Sequence, residues 1–385
     1  MTYEHVYTVR KDASNTAQTG SLGYNLPDSG TIPEIVLTVY TTQTASTDPC
    51  ITASQHVREI RVIAGNQVIK KFKGEHAIAE SMYLTSLNRA SPQTNDNAVE
   101  GYETFKLILG KESLGFAPDF AQLKSKYGQP RLEVDFDASL TTADTGWTMD
   151  ADTTPATKIS VLCKIARAGT HSLKHGFIET RTIKTWTQVA STETVTELPH
   201  ASSGLLMGLY LHGGYDTKKW TEDFDQIKLS IDNDRVVPLN LQDAESVVGV
   251  NDLWHGASSV SFIADLTSAI EYDFHMGLPT AVLGQLGEGA LSIEPFTFRL
   301  PFKHIGVEAP IIQNSLTAAD STYRQFQFVS HGLIPYNVMY IPMSQVVAGS
   351  KFLKIGGRKV ELKTTSSSSA STSSTPDVLA QWLSF

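Results

Sequence analysis

The chain has only two cysteines in 385 residues, Cys50 and Cys163, which is too few for a disulfide framework. Each lies in or beside an apolar, strand-like run, where an unpaired thiol acts as a small buried hydrophobe. Charged residues are sparse at 18%, the net charge is −9, and Lys and Arg form no block. Holding nucleic acid through its phosphates requires clustered cations, so direct genome binding is not expected. No stretch reaches the roughly 18–20 consecutive apolar residues of a membrane-crossing helix. The opening segment Met1–Lys11 lacks the apolar region of a secretory signal. Any membrane contact is therefore expected to be peripheral.

Catalytic motifs are missing as well. The sequence has no Gly-x-Ser-x-Gly elbow, His-Glu-x-x-His, Cys-x-x-Cys or Gly-rich phosphate loop. Gly110-Lys-Glu-Ser113 lacks the spacing of a phosphate loop and reads as a strand end. His171 and His175 stand at i and i+4, but without a helical pattern or a neighbouring acid that would make them metal ligands. Asp273 and His275 pair a carboxylate with an imidazole but have no nucleophile. Asp232-Asn-Asp234 lacks the Gly and closing Glu of a calcium loop and reads as a hairpin turn. Asp150 and Asp152 are equally generic. No catalytic, cofactor-binding or metal-ligating residue is nominated, and no enzyme activity is expected.

What is present is a pattern that occurs twice. Leu26-Pro27, a small polar stretch and the run Ile35–Tyr40 are followed by Ile60-Arg-Val62, four residues before Asn66. Leu198-Pro199, a similar stretch and the run Leu206–Leu211 are followed by Ile227-Lys-Leu229, four residues before Asn233. A spacing of about 170 residues is far above that of solenoids or propellers, and implies a whole domain in two diverged copies.

The strands alternate with period two. Ile35, Leu37 and Val39 share a face, as do Phe105, Leu107 and Leu109, then Leu132, Val134 and Phe136, then Ile159, Val161, Cys163 and Ile165. In the second half Met207, Leu209 and Leu211 alternate with Gly208, Tyr210 and His212, while Phe296, Phe298 and Leu300, then Phe326 and Phe328, show the same cadence. This is the pattern of antiparallel sheets packed on one face.

Helical spacing falls at matching places: Ile78 with Met82 after the Ile60 strand, and Val247, Val250 and Trp254, capped by Asp243, after the Ile227 strand. A further helix is expected at 118–127, with Asn314–Tyr323 as its counterpart. The expected organisation is an N-terminal arm at 1–25, a first β-domain at 26–170, a second at 171–345, and an extension at 346–385. In that extension a strand or hairpin at Phe352–Leu362 precedes a Ser/Thr-rich tract, Thr364–Thr375. Its apolar end, Val378–Phe385, reads either as a hook for a neighbouring molecule or as a disordered tail. Polar loops at Ala90–Glu100 and Ser139–Thr157 are candidate receptor contacts by composition.

This duplicated antiparallel unit resembles the double jelly-roll major capsid proteins of tailless icosahedral viruses. The resemblance rests on the paired Leu-Pro openings, the strand–turn–strand units Ile60–Ile69 and Ile227–Val237 with their following helices, and the segments Phe105–Phe136 and Phe296–Phe328. It implies an all-β fold of two tandem eight-stranded jelly rolls with a few short helices. It further implies a homotrimer of hexagonal outline that meets neighbouring capsomers in an icosahedral virion, made in the host cytoplasm. Penton or minor capsid proteins, and an internal membrane touched peripherally, are the further partners it implies. The competing readings are a secreted or surface two-domain β-sandwich that binds carbohydrate, and a cupin-like enzyme, whose His-x-His pair is absent.

Overall fold

The computed structural model describes residues 5–15, 20–42, 57–85, 89–90, 94–95, 100–136, 157–166, 173–199, 205–213, 223–255, 258–266, 305–311, 324–332, 334, 338–347, 349–370, 372 and 374–385. The first eight strands of the framework are β1 (His5–Asn15), β2 (Gly20–Asn25), β3 (Glu34–Thr42), β4 (Val57–Ala64), β5 (Gln67–Phe72), β6 (Glu100–Ile108), β7 (Pro130–Phe136) and β8 (Thr157–Ile165). They form two facing sheets, ordered β1-β8-β3-β6 and β2-β7-β4-β5. The next eight are β9 (Phe177–Thr185), β10 (Glu193–Glu197), β11 (Leu205–His212), β12 (Phe224–Ile231), β13 (Val236–Leu241), β14 (Val338–Pro342), β15 (Val360–Ser366) and β16 (Asp377–Ser384). Their sheets run β9-β16-β11-β14 and β10-β15-β12-β13, the first order with eight added to every number. Each half is thus an eight-stranded jelly roll.

The alternation in the sequence places the first core. Ile35, Leu37, Val39, Leu132, Val134, Val161 and Cys163 are buried between the two sheets. On the outer side of β7, Glu133 and Asp135 meet Arg61 of β4 at 3.2 and 2.9 Å. Both Leu-Pro pairs follow the second strand of their roll, and Leu26 and Leu198 are buried alike. The β4–β5 turn needs Gly65, which has a φ of 54° and lies so close to the Tyr127 carbonyl that a Cβ would collide with it. The matching β12–β13 turn uses Asp232, Asn233 and Asp234, all left-handed.

The helices also match. α1 (Gly74–Leu84) follows β5. α2 (Phe120–Tyr127) starts where the Asp119 side chain accepts from Ala121 N and stops at Gly128. α3 (Ala244–His255) follows β13, with Asp243 accepting from Ser246 N at 2.7 Å. The short α4 (Met343–Val346) lies between β14 and β15, as α2 does between β6 and β7. The proposed counterpart Asn314–Tyr323 falls outside the described residues.

Three expectations need correction. Residues 1–25 are not simply an arm: β1 pairs with β8 and β2 with β7, so polar, Thr- and Ser-bearing stretches serve as strands. The segment 346–385 is not an extension either. It supplies β15 and β16, and β16 lies in the interior of its sheet, between β9 and β11, with Trp382 fully buried. Part of the Ser/Thr tract is the end of β15, where Thr364 and Ser366 are buried.

The third correction concerns Phe296–Phe328, which is not the second roll's sixth-to-seventh strand unit; β14 and β15 fill that place. Phe326 and Phe328 instead belong to a strand, Arg324–Gly332, in a separate sheet with Ser258–Leu266 and Ile305–Ile311. This sheet is inserted between α3 and β14, which displaced the apparent match along the sequence. The first roll's Arg89–Ala90 and Thr94–Asn95 add to it in parallel. Phe296, Phe298, and the loop at 137–156 lie outside the described residues.

If β16 closes the second roll, truncation after Pro376 should abolish the cooperative thermal transition. Trp382→Ala should cost about 3–5 kcal/mol in denaturant unfolding, the range for emptying a buried aromatic site. A tail would show neither effect.

Candidate functional site

The two rolls share one sheet. β5, the last strand of the β2-β7-β4-β5 sheet, pairs in parallel with β9, the first of the β9-β16-β11-β14 sheet, with Lys70 opposite Thr180 and Lys71 opposite Arg181. One face of the second roll's sheet fills its own core with Leu209, Leu211, Met339, Ile341, Val378, Ala380 and Trp382. Its other face packs on the first roll, with Phe177, Tyr210, Val338, Tyr340 and Leu379 joining the first core. α1 is wedged at this junction, buried from Gly74 to Met82. β11 is consequently buried on both faces, Tyr210 and His212 included, where one exposed face was expected.

The chemistry of the site lies in two buried polar clusters at this junction. In the first, Lys70 of β5 donates to Glu80 of α1 at 2.7 and 2.8 Å and to Thr180 of β9 at 2.9 Å. Thr180 and Gln381 of β16 donate in turn to the same Glu80 oxygen, at 3.1 and 2.9 Å. Gln381 also donates to the Tyr210 hydroxyl at 3.2 Å and accepts from the Tyr340 hydroxyl at 3.0 Å. The two tyrosine rings stack at 4.6 Å, and a Cβ on Gly208 would collide with the Tyr340 ring. Every strand of the second roll's sheet thereby reaches the Lys70–Glu80 pair. Burial pushes the Lys70 ammonium down, with Glu80 opposing, and burial together with Glu80 raises the Tyr210 and Tyr340 phenols.

The second cluster centres on Asp377 at the start of β16. Lys73, the residue preceding α1, donates to it at 2.9 Å; His76 of α1 and His212 of β11 approach it at 3.0 and 3.7 Å. His212 also faces Glu75 at 3.6 Å. Burial alone would raise the Asp377 carboxyl, but the two imidazoles outweigh it and hold the group well below the usual carboxylate range. Burial lowers the His76 imidazole, against the pull of Asp377.

His76, His212 and Asp377 have the residue types and proximity of a metal site. Their hydrogen bonds argue otherwise. The His76 Nδ1 accepts from the Lys73 backbone N–H at 3.3 Å, so the neutral ring carries its proton on Nε2, which stands 3.0 Å from Asp377 without the alignment of a hydrogen bond. A metal would need that nitrogen's lone pair, and the Lys73 ammonium already stands where a cation would balance Asp377. The arrangement fits an ion pair clamping two rolls together.

None of the described residues weighed as candidates in the sequence joins these clusters. His175 instead accepts from Asp119 N at 3.1 Å at the base of α2. Asp232 and Asp234 tie the β12–β13 turn to Lys359, Lys228 and Lys363. Glu112–Leu114 forms a single 3₁₀ turn after β6. Burial pushes the Cys163 thiol up to about 12, which fits an inert core residue. His171, Asp150, Asp152, Asp273, His275 and Cys50 lie outside the described residues. The junction residues were missed because they come from segments as far apart as Lys70 and Gln381, and no local spacing signals them.

No protein-family model and no curated protein sequence matches the chain. Similar solved structures do exist. The atomic structure of Sulfolobus turreted icosahedral virus matches with a TM-score of 0.56 at 9% identity, covering 99% of this chain and 90% of that one. The crystal structure of the STIV MCP matches with a TM-score of 0.55 at 8% identity, covering 98% and 95%. The PBCV-1 virus capsid matches with a TM-score of 0.50 at 8% identity, covering 98% and 93%. The fold is therefore a double jelly roll, shared along nearly the whole chain with proteins of icosahedral viruses.

The buried pair gives a sharp test. Glu80→Ala leaves the Lys70 ammonium buried without its partner and should cost about 3–5 kcal/mol in denaturant unfolding, whereas Lys70→Met with Glu80→Leu should be close to neutral. The Asp377 cluster adds a pH effect. A histidine whose folded pKa lies below its unfolded value near 6.5 destabilises the fold as pH drops below about 6.5, because only the unfolded chain takes up the proton freely. Melting temperature should fall between pH 7.5 and 5.5, and His76→Gln should flatten that slope.

Proposed function

We propose that this chain is a major capsid protein: three copies form a pseudo-hexagonal capsomer, and capsomers tile an icosahedral virion shell. The observation that supports this best is the doubled roll held as one body. Two equivalent blocks, fixed side by side by a shared sheet, become six similar blocks around a threefold axis. A shell unit with six similar sides can meet its neighbours in several nearly equivalent ways. As part of this reading we put the division between the blocks near residue 170, between strands β8 and β9.

The role proposed is assembly, and its support at the junction is that the polar groups there are buried and that Lys70, Glu80, Thr180 and Gln381 are hydrogen-bonded to one another. The same burial leaves them no surface to offer a sugar, which disfavours the carbohydrate-binding reading. The virion is the proposed location, with penton or minor capsid proteins as further partners. No helix of the described residues is long and apolar enough to cross a membrane, and contact with an internal membrane is proposed as peripheral.

Mass measurement with electron microscopy of the purified protein tests the reading. It predicts a stable particle of three 42.0 kDa chains with a hexagonal outline. A monomer that binds sugars would contradict it.

A further inference from the structure

The chain joins two of the rolls' four sheets and leaves the other two separate, each ending in edges. β10-β15-β12-β13 stops at β13, and β1-β8-β3-β6 stops at β1. Neither terminal strand has a second neighbouring strand among the described residues. Val236 and Val237 of β13 are 47% and 36% exposed, on an edge with no charge in the strand to guard it. Strand numbers in the two rolls differ by eight, so β13 is the counterpart of β5, and β1 of β9. The missing contact, β13 with β1, is the counterpart of the β5–β9 pairing that already joins the rolls. Within one chain these edges belong to different rolls and are left over; a second copy supplies each with its complement.

The ladders fix a register for that contact. Ile60, Arg61 and Val62 face Phe72, Lys71 and Lys70, as Ile227, Lys228 and Leu229 face Leu241, Asn240 and Leu239. Leu239 and Asn240 therefore stand where Lys70 and Lys71 stand. On the other strand, Thr180 and Arg181 pair with Gln381 and Ala380, the latter opposite the core residue Leu209. In the first roll, Thr8 and Arg10 pair with Leu162 and Val161, the latter opposite the core residue Leu37. With Leu37 and Leu209 matched, each eleven residues after the leucine of its Leu-Pro pair, Thr8 and Arg10 stand where Thr180 and Arg181 stand, with Val9 accommodated at the register shift between them. A Thr and an Arg thus recur at the same two places in both rolls. Pro238, which has no N–H to give, lies outside the two paired positions and takes no part in the proposed pairing.

We propose that β13 of one copy pairs in parallel with β1 of a second copy, Leu239 opposite Thr8 and Asn240 opposite Arg10, and that three such contacts close the trimer. This rests on the trimeric capsid reading above and adds to it the contact and its register. Asn240→Cys combined with Arg10→Cys, oxidised at the trimer stage, should give disulfide-linked dimers and trimers on a non-reducing denaturing gel. The unsubstituted chain and Asn240→Cys with Asp12→Cys should give few or none. A trimer by mass that does not cross-link at Arg10, or links equally at Asp12, overturns the contact and leaves the capsid reading standing; a monomer overturns both. A strand-resolving electron-microscopy map of the unsubstituted trimer decides the matter without substitutions: a sheet continuous across each chain boundary supports the contact, and a gap there refutes it.

Discussion

The structure depends on one short parallel pairing, Lys70 and Lys71 of β5 against Thr180 and Arg181 of β9. It turns two jelly rolls into one body, because it runs the first roll's sheet directly into the second's. A lysine in that position, fully buried, carries a desolvation cost that only a close counter-charge can offset. Glu80 provides the charge, and Thr180 and Gln381 complete its hydrogen bonds, so the pair is satisfied only when both rolls are in place. A buried ion pair adds little net stability over an apolar substitute. What it adds is a preference for one way of joining the rolls over others, as the proposed shell role would require.

Asp377 makes the same point at the other end of the junction. It sits at the start of the last strand and is gripped by the start of α1, through Lys73 and His76, and by His212 of β11. The last described strand, β16, thus makes its polar contacts at this end with the first roll's helix and with β11 together. These contacts also tie interface strength to histidine protonation, since the His76 ring is held in its neutral form.

Much of this was legible in the sequence. The Leu-Pro pairs, the runs Ile35–Tyr40 and Leu206–Leu211, and the helices after Phe72 and Leu241 mark the same places in both rolls, because both copies must bury the same faces. Local rules sufficed for Asp243 and the Asp232–Asp234 turn. Strands β15 and β16 were not legible. β16 is buried on both faces, so it shows no alternation, and the Ser/Thr tract before it looks like a linker. β1 and β2 were hidden by polar composition. Tyr210 and His212 were assigned to an exposed face because one roll, considered by itself, has nothing to cover them. Lys70, Glu80, Thr180 and Gln381 left no signal at all, since only the joined fold brings them together.

The central claim is that the two rolls open as one cooperative unit through their shared sheet. Native-state amide hydrogen exchange measures this directly. Backbone amides of β5, β9 and β16 should exchange only through a common opening, with one free energy and one denaturant dependence. If β5 exchanged with the first roll and β9 and β16 with the second, at two separate levels, the rolls would be independent domains and the account would be wrong.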